Sequence, residues 1–236
     1  MPSAAEHAGG PLFHLGPLEV TEAVVGTWLV MGFLVLVLGA VVRGAGLIPA
    51  SRLQVAVESV YQALTAFLAN IMDEERARRF APFLVSLFLF ILVSNYSGLL
   101  PVLPETPWYA APTSHWGVTL GLALVVFATV QYQAIRTHGW AYFRNMFHIE
   151  NWFMLPLMLP LGIAEELIKP FTLSMRLFVN IFAGETALAE MTRSIPFVIP
   201  LVILMLELIA GAVQAFIFTA LTTVYLAQAT ARPHHY

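Results

Sequence analysis

Apolar residues run along this chain in long blocks broken by short charged segments. Between Glu22 and Arg43 lie 20 residues without Asp, Glu, Lys or Arg; 25 lie between Arg79 and Glu105, 30 between Glu105 and Arg136, and 24 between Glu207 and Arg232. A helix needs about 20 apolar residues to cross the hydrocarbon core, so each block predicts one transmembrane helix. The stretch from Trp152 to Met191 is also apolar and helix-permissive, but carries Glu165, Glu166, Lys169, Arg176, Glu185 and Glu190. It predicts a fifth span whose ionisable groups face protein or water, a pattern that marks function inside a membrane.

Two further patterns shape the architecture. Leu53 to Met72 places Val57, Tyr61, Leu64, Leu68 and Ile71 on one helical face, with Glu58, Gln62, Thr65 and Asn70 elsewhere. This predicts an interfacial amphipathic helix, or one packed on a neighbour, with a short transmembrane hairpin as the alternative. The last two helices outrun the bilayer. Pro160 to Thr192 and Phe197 to Thr230 span 33 and 34 residues. At about 1.5 Å per residue each is roughly 50 Å long, against a core about 30 Å thick. Such helices tilt, kink or protrude; Pro170 is a kink candidate, and Ser194-Ile195-Pro196 closes the pair into a long tilted hairpin.

Composition narrows the class. The chain is 59% hydrophobic and only 11% charged, where soluble domains carry about 25% charged residues. Its 11 basic and 14 acidic residues leave a net charge of −3, which offers no basic face for nucleic acid. The absence of cysteine excludes disulfides, iron–sulfur clusters and thiolate zinc. No histidine pair sits at metal-ligand spacing within a span, so neither a metal nor a cofactor is expected. The leading segment holds Glu6, Glu19 and Glu22 and no Lys or Arg, which is not a signal peptide. No internal repeat supports an inverted-repeat transporter. The expectation is an all-α polytopic membrane protein with about five transmembrane helices. One membrane domain covers 1–236: an external tail at 1–19, a cytoplasmic amphipathic segment at 51–79, and a long helical hairpin at 152–231.

Charge placement sets orientation. With the N-terminus outside, Arg43, Arg52, Arg76, Arg78, Arg79, Arg136, Arg144 and Arg232 all fall inside, eight of the 11 basic residues. That satisfies the positive-inside rule with the C-terminus cytoplasmic.

On the first long helix, helical spacing puts Glu165, Lys169, Arg176 and Asn180 on one stripe, with Glu165 and Lys169 as an i,i+4 pair. Ala183 and Gly184 continue it and permit close backbone approach. Glu185 falls on the opposite face. On the last helix Glu207, Gln214 and Gln228 share a face, with Gly211 between and Tyr225 near it. Glu185 lies ten residues before Ile195 and Glu207 twelve after it. Both are therefore roughly 15 to 18 Å from the turn, placed to share one water-filled pocket. Arg176 sits among Leu173, Met175, Leu177 and Phe178. Arginine keeps its charge, and burying it mid-span costs about 2.5 to 3.5 kcal/mol on insertion scales. Its readings are a structural ion pair with a nearby glutamate, or a fixed cation facing a mobile carboxylate.

The run from Lys169 to Glu185, KPFTLSMRLFVNIFAGE, resembles the signature of the a subunit of F-type ATP synthases. So does QAFIFTALTTVYL from Gln214, and NYSGLLP from Asn95 is similar to an earlier family segment. The resemblance implies a stator subunit with two aqueous half-channels, conducting protons to and from the carboxylates of a c-subunit ring. Ion flow is thereby coupled to rotation and ATP synthesis, with no bond chemistry in this chain. Arg176 then matches the arginine facing the ring, Asn180 and Gln214 its polar neighbours, and Glu185 and Glu207 the ion path. Glu165, Lys169, Asn95, Glu105, His115 and Tyr225 are candidate half-channel lining. Implied partners are the c ring, b-type peripheral stalk subunits, the remaining synthase subunits and the lipid bilayer, in a bacterial cell (inner) membrane. A sodium-coupled member of the family and an unrelated ion transporter are the alternatives. Val179 stands where many members carry glycine, and Gly98 where some carry an acid.

Overall fold

The computed structural model describes residues 13–15, 18–44, 52–99, 111–139, 155–194 and 198–231. Among these, six α-helices follow a short antiparallel ladder, β1 (Phe13–Leu15) with β2 (Leu18–Val20), in which Phe13 faces Val20. The sequence gives no sign of this ladder within its expected tail. The helices are α1 (Glu22–Arg43), α2 (Arg52–Ile71), α3 (Glu74–Gly98), α4 (Trp116–His138), α5 (Leu155–Ser194) and α6 (Val198–Ala229). A 3₁₀ turn at Pro112–Ser114 leads into α4. The long helices measure 40 and 32 residues, so α5 starts before Pro160 and runs unbroken through Pro170.

Among the described residues four helices are long and apolar enough to cross a membrane: α1, α3, α4 and Leu201–Ala229 of α6. Charged side chains keep α5 out of that set. Half of the most apolar stretch of α3 is buried, against 11% of that of α1, so α3 is the inner strut and α1 an outer one. The core joins Leu68 of α2, Leu84 and Ile91 of α3, Val126 of α4, Leu177 of α5 and Phe218 of α6. Apolar side chains also face outward, among them Phe33, Leu36, Val125, Phe182 and Leu206. In water such a surface would be costly; it suits lipid. Thr219, Thr222 and Thr223, all buried, return their hydroxyls to carbonyls four residues back. A hydroxyl satisfied within its own helix carries no polar debt into an apolar interior.

Helix ends define the boundaries. Asp73 caps α3, accepting from the Arg76 N–H at 2.9 Å. This divides the expected 51–79 segment: α2 ends at Ile71, and Arg76, Arg78 and Arg79 belong to the first turns of α3. Gly139 ends α4 at φ 56°, its N–H on Ile135 O at 2.8 Å, a conformation glycine adopts without a Cβ clash. On α2, Leu64 and Leu68 are buried as the pattern requires, but Tyr61 is 40% exposed and Gln54 is buried. The packed face is rotated away from Tyr61 because α2 docks along α3 and brings Phe67 to within 4.7 Å of the Phe216 ring on α6. The Arg76 guanidinium reaches Ala227 O and Thr230 Oγ1, each at 3.3 Å. The start of α3 and the end of α6 therefore share one end of the bundle.

Candidate functional site

The other end of the bundle holds the candidate site. Asn95 of α3 donates through Nδ2 to Gly211 O of α6 at 3.0 Å, and Tyr96 Oη donates to Leu208 O at 3.2 Å. These bonds draw α3 and α6 together: a Cβ at Gly211 would lie 3.2 Å from that of Asn95. The Glu207 carboxyl lies against Gly184 of α5, where an added Cβ would stand 2.6 Å from the carboxyl carbon. Glu185 points to Gly98, where a Cβ would be 3.3 Å from Oε1. Three glycines on three helices thus each seat one polar side chain.

Between them is a cavity of about 20 Å³ lined by Asn95, Gly98, Asn180, Glu185 and Glu207. That is room for about one water. Among the described residues several buried polar atoms lack partners, two of them on residues that line the cavity, Asn95 and Glu207. Asn95 Oδ1, Glu207 Oε2 and Gln214 Nε2 are buried without a hydrogen bond, as are Ser94 Oγ and Thr113 Oγ1. Buried polar atoms are normally satisfied; two of them on residues lining a small cavity mark a place for water.

Arg176 stands elsewhere on α5. It is exposed and forms no ion pair among the described residues. Glu165, Thr172, Val179 and Ala183 share its outward strip. The expected four-residue stripe therefore divides: Glu165 and Arg176 face out, while Asn180 turns into the cavity and Lys169 into the bundle. The expected Glu165–Lys169 pair is not formed. Lys169 pairs with Glu166, whose Oε2 accepts from Gln131 Nε2 of α4 at 2.8 Å, and the Lys169 ammonium lies 5.8 Å from the Tyr225 ring centre on α6. Glu166 wins because it faces α4, where an amide waits; Glu165 is on the exposed side. The spacing alone left Lys169 with a glutamate three and another four residues back. Gln131, a polar residue late in an apolar span, was the available clue.

His115 precedes α4 and is half-buried; burial holds its imidazole below the usual value, opposed by the nearby Glu22 carboxylate. Glu105 and the turn at Ile195–Pro196 lie outside the described residues. The buried, unpartnered hydroxyls of Ser94 and Thr113 were not expected: a lone hydroxyl in an apolar run carries no signal until packing removes its partner.

A family model described as ATP synthase A chain matches residues 24–227. The chain belongs to this family. ATP synthase subunit a 2 of Bradyrhizobium sp. is 35% identical over 218 residues, 92% of each chain. ATP synthase subunit a of Moorella thermoacetica is 34% identical over 217 residues, covering 92% of this chain and 94% of its own. ATP synthase subunit a 1 of Hahella chejuensis is 37% identical over 216 residues, covering 92% and 87%. Family membership and the apolar spans make the chain an integral membrane protein and a subunit of an ATP synthase complex.

Proposed function

We propose that this subunit is the stator that carries protons to and from the carboxylates of a rotating c-subunit ring. The single observation that carries the reading is Arg176: a permanent cation, exposed and unpaired among the described residues, on an outward strip shared with Val179 and Ala183. A cation with no paired carboxylate among the described residues is placed to receive one from a partner.

The mechanism follows from the cost of charge in lipid. A ring carboxylate facing lipid must be neutral. Beside Arg176 the opposite charge favours its ionised form, so its proton leaves into one half-channel. After rotation the carboxylate reloads from the other half-channel before returning to lipid. Arg176 also repels hydronium, which bars direct leakage between the two paths. Each charge crossing about 100 mV supplies roughly 2.3 kcal/mol. The uptake path is assigned to the Glu185–Glu207 cavity, which Asn95 and Asn180 also line, with Gln214 and His115 as further polar groups of the proposed route. Sodium coupling would use the same stator, because the binding site that selects the ion lies on the ring.

Topology is part of the proposal: five spans with α5 included, α2 at the cytoplasmic interface, the N-terminus outside, and b-type stalk subunits alongside. What supports it is the arginine-rich start of α3 joined to the end of α6, and Glu22 near His115 at the opposite end. The test is Arg176→Ala in the assembled complex. Ion-coupled ATP synthesis is expected to vanish with assembly retained, and Arg176→Lys to restore little, since ammonium is a more hydrated point charge. Normal coupled synthesis in the alanine variant would overturn the mechanism. Because the chain has no cysteine, Tyr236→Cys reports the C-terminus directly; labelling from outside would overturn the topology.

A further inference from the structure

Glu166 stands outside the pathway proposed above, yet both of its carboxylate oxygens are engaged. Oε1 pairs with Lys169 on the next turn of α5, and Oε2 accepts from Gln131 of α4 at 2.8 Å. Lys169 in turn lies over the Tyr225 ring of α6. The Glu166 and Lys169 side chains are only 18% and 26% exposed, so solvent screens them weakly. One small cluster therefore joins three helices.

Its position along α5 matters. Pro170 has no N–H, so the main-chain carbonyl of residue 166 has no donor four residues on. Helices bend at such turns. The Glu166–Lys169 pair spans that same turn, and its outward links run to the helices on either side. Arg176 lies six residues beyond Pro170, about 9 Å at the helical rise. A kink of about 20° there would move the Arg176 backbone by about 3 Å. That is enough to break its contact with a carboxylate.

We propose that Gln131, Glu166, Lys169 and Tyr225 form a brace across the proline-weakened turn of α5, and that Glu166 is a positioning residue holding Arg176 toward the ring. The inference rests on the reading of Arg176 given above. It makes the brace part of the barrier against leakage as well as part of the coupling.

The experiment uses the assembled complex in inverted membrane vesicles. It records ATP-driven proton pumping and, without ATP, the passive decay of an imposed proton gradient. Glu166→Gln is expected to lower pumping by up to about a hundredfold, the scale of a misplaced working group, and to raise passive leakage severalfold. The exchange Glu166→Gln with Gln131→Glu returns a carboxylate to the cluster and should restore both readings. Unchanged pumping and leakage in Glu166→Gln would overturn the brace. So would reduced leakage, which would make Glu166 a conductor. Should Glu166→Gln fail to assemble, Gln131→Met cuts the α4 link with the ion pair kept; it should raise leakage less, and no rise would overturn the proposal. Arg176→Ala in parallel separates the two ideas: loss of coupling there with no effect at Glu166 sinks the brace alone, whereas normal coupling there sinks the reading beneath it.

Discussion

The two ends of the helical bundle both hold charge, and they treat it in opposite ways. At one end, Glu166, Lys169 and Gln131 satisfy one another, and Asp73 and Arg76 do the same at the surface. At the other, Glu207 Oε2 and Asn95 Oδ1, on residues lining a cavity of about 20 Å³, and Gln214 Nε2 are buried with no hydrogen bond among the described residues. A saturated cluster has a single comfortable arrangement and serves as a fastening. An unsaturated one gains by admitting water or protons, which is what a conduit requires. Polarity inside a membrane protein is therefore not one signal but two, and partner counting separates them.

The widest separation should come from the acids themselves. Glu185→Gln is expected to cut proton conduction through the membrane sector by about a hundredfold, the low end for a general acid–base group, and Glu207→Gln by less. Conduction is read in membranes stripped of the catalytic head. If both single variants and the double variant conduct normally, the unsaturated end is no conduit. Stability should sort the opposite way. Lys169→Met strands a shielded Glu166 and should cost about 2 to 3 kcal/mol, seen as a lower midpoint of detergent-solubilised unfolding. Glu207→Gln should barely move that midpoint, since its Oε2 has no partner to lose. Equal losses would erase the distinction between the ends.

Smaller effects appear in pH. Burial lowers the His115 value below 6.5, so the unfolded chain binds more protons and stability falls as pH drops below 6.5. His115→Gln should flatten that slope. At the paired end, the Arg76 N–H and guanidinium hold Asp73 below 3.8. Its contribution is present above 3.8 and lost as pH falls through the lower folded value. Asp73→Asn should remove this acid limb, and a limb that persists would assign it to other carboxylates.

Much of this was legible in residue spacing. The uncharged blocks located α1, α3, α4 and α6, because lipid demands continuous apolar length. Counting from the expected turn at Ile195 put Glu185 and Glu207 at similar depth, because helical rise is uniform, and they line one cavity. Partner choice was not legible. Glu165 and Glu166 are equivalent along the chain, and only Gln131 on another helix distinguishes them. Arg76 likewise reads as a topology marker, yet it reaches the end of α6, 151 residues away at Ala227. The Phe13–Leu15 ladder is too short for a period to show.

The glycine under Glu207 has a genetic consequence. Any single-base change that alters a glycine codon to another residue adds at least a Cβ, and at Gly184 that atom would meet the Glu207 carboxyl group. The obstacle is the far end of a flexible side chain, so the carboxylate can swing aside and the helices need not part. Gly184→Ala should therefore still fold and assemble. In the proposed pathway its damage would surface in growth that depends on the proton gradient, so that growth conditions, rather than protein abundance, would keep this position from drifting.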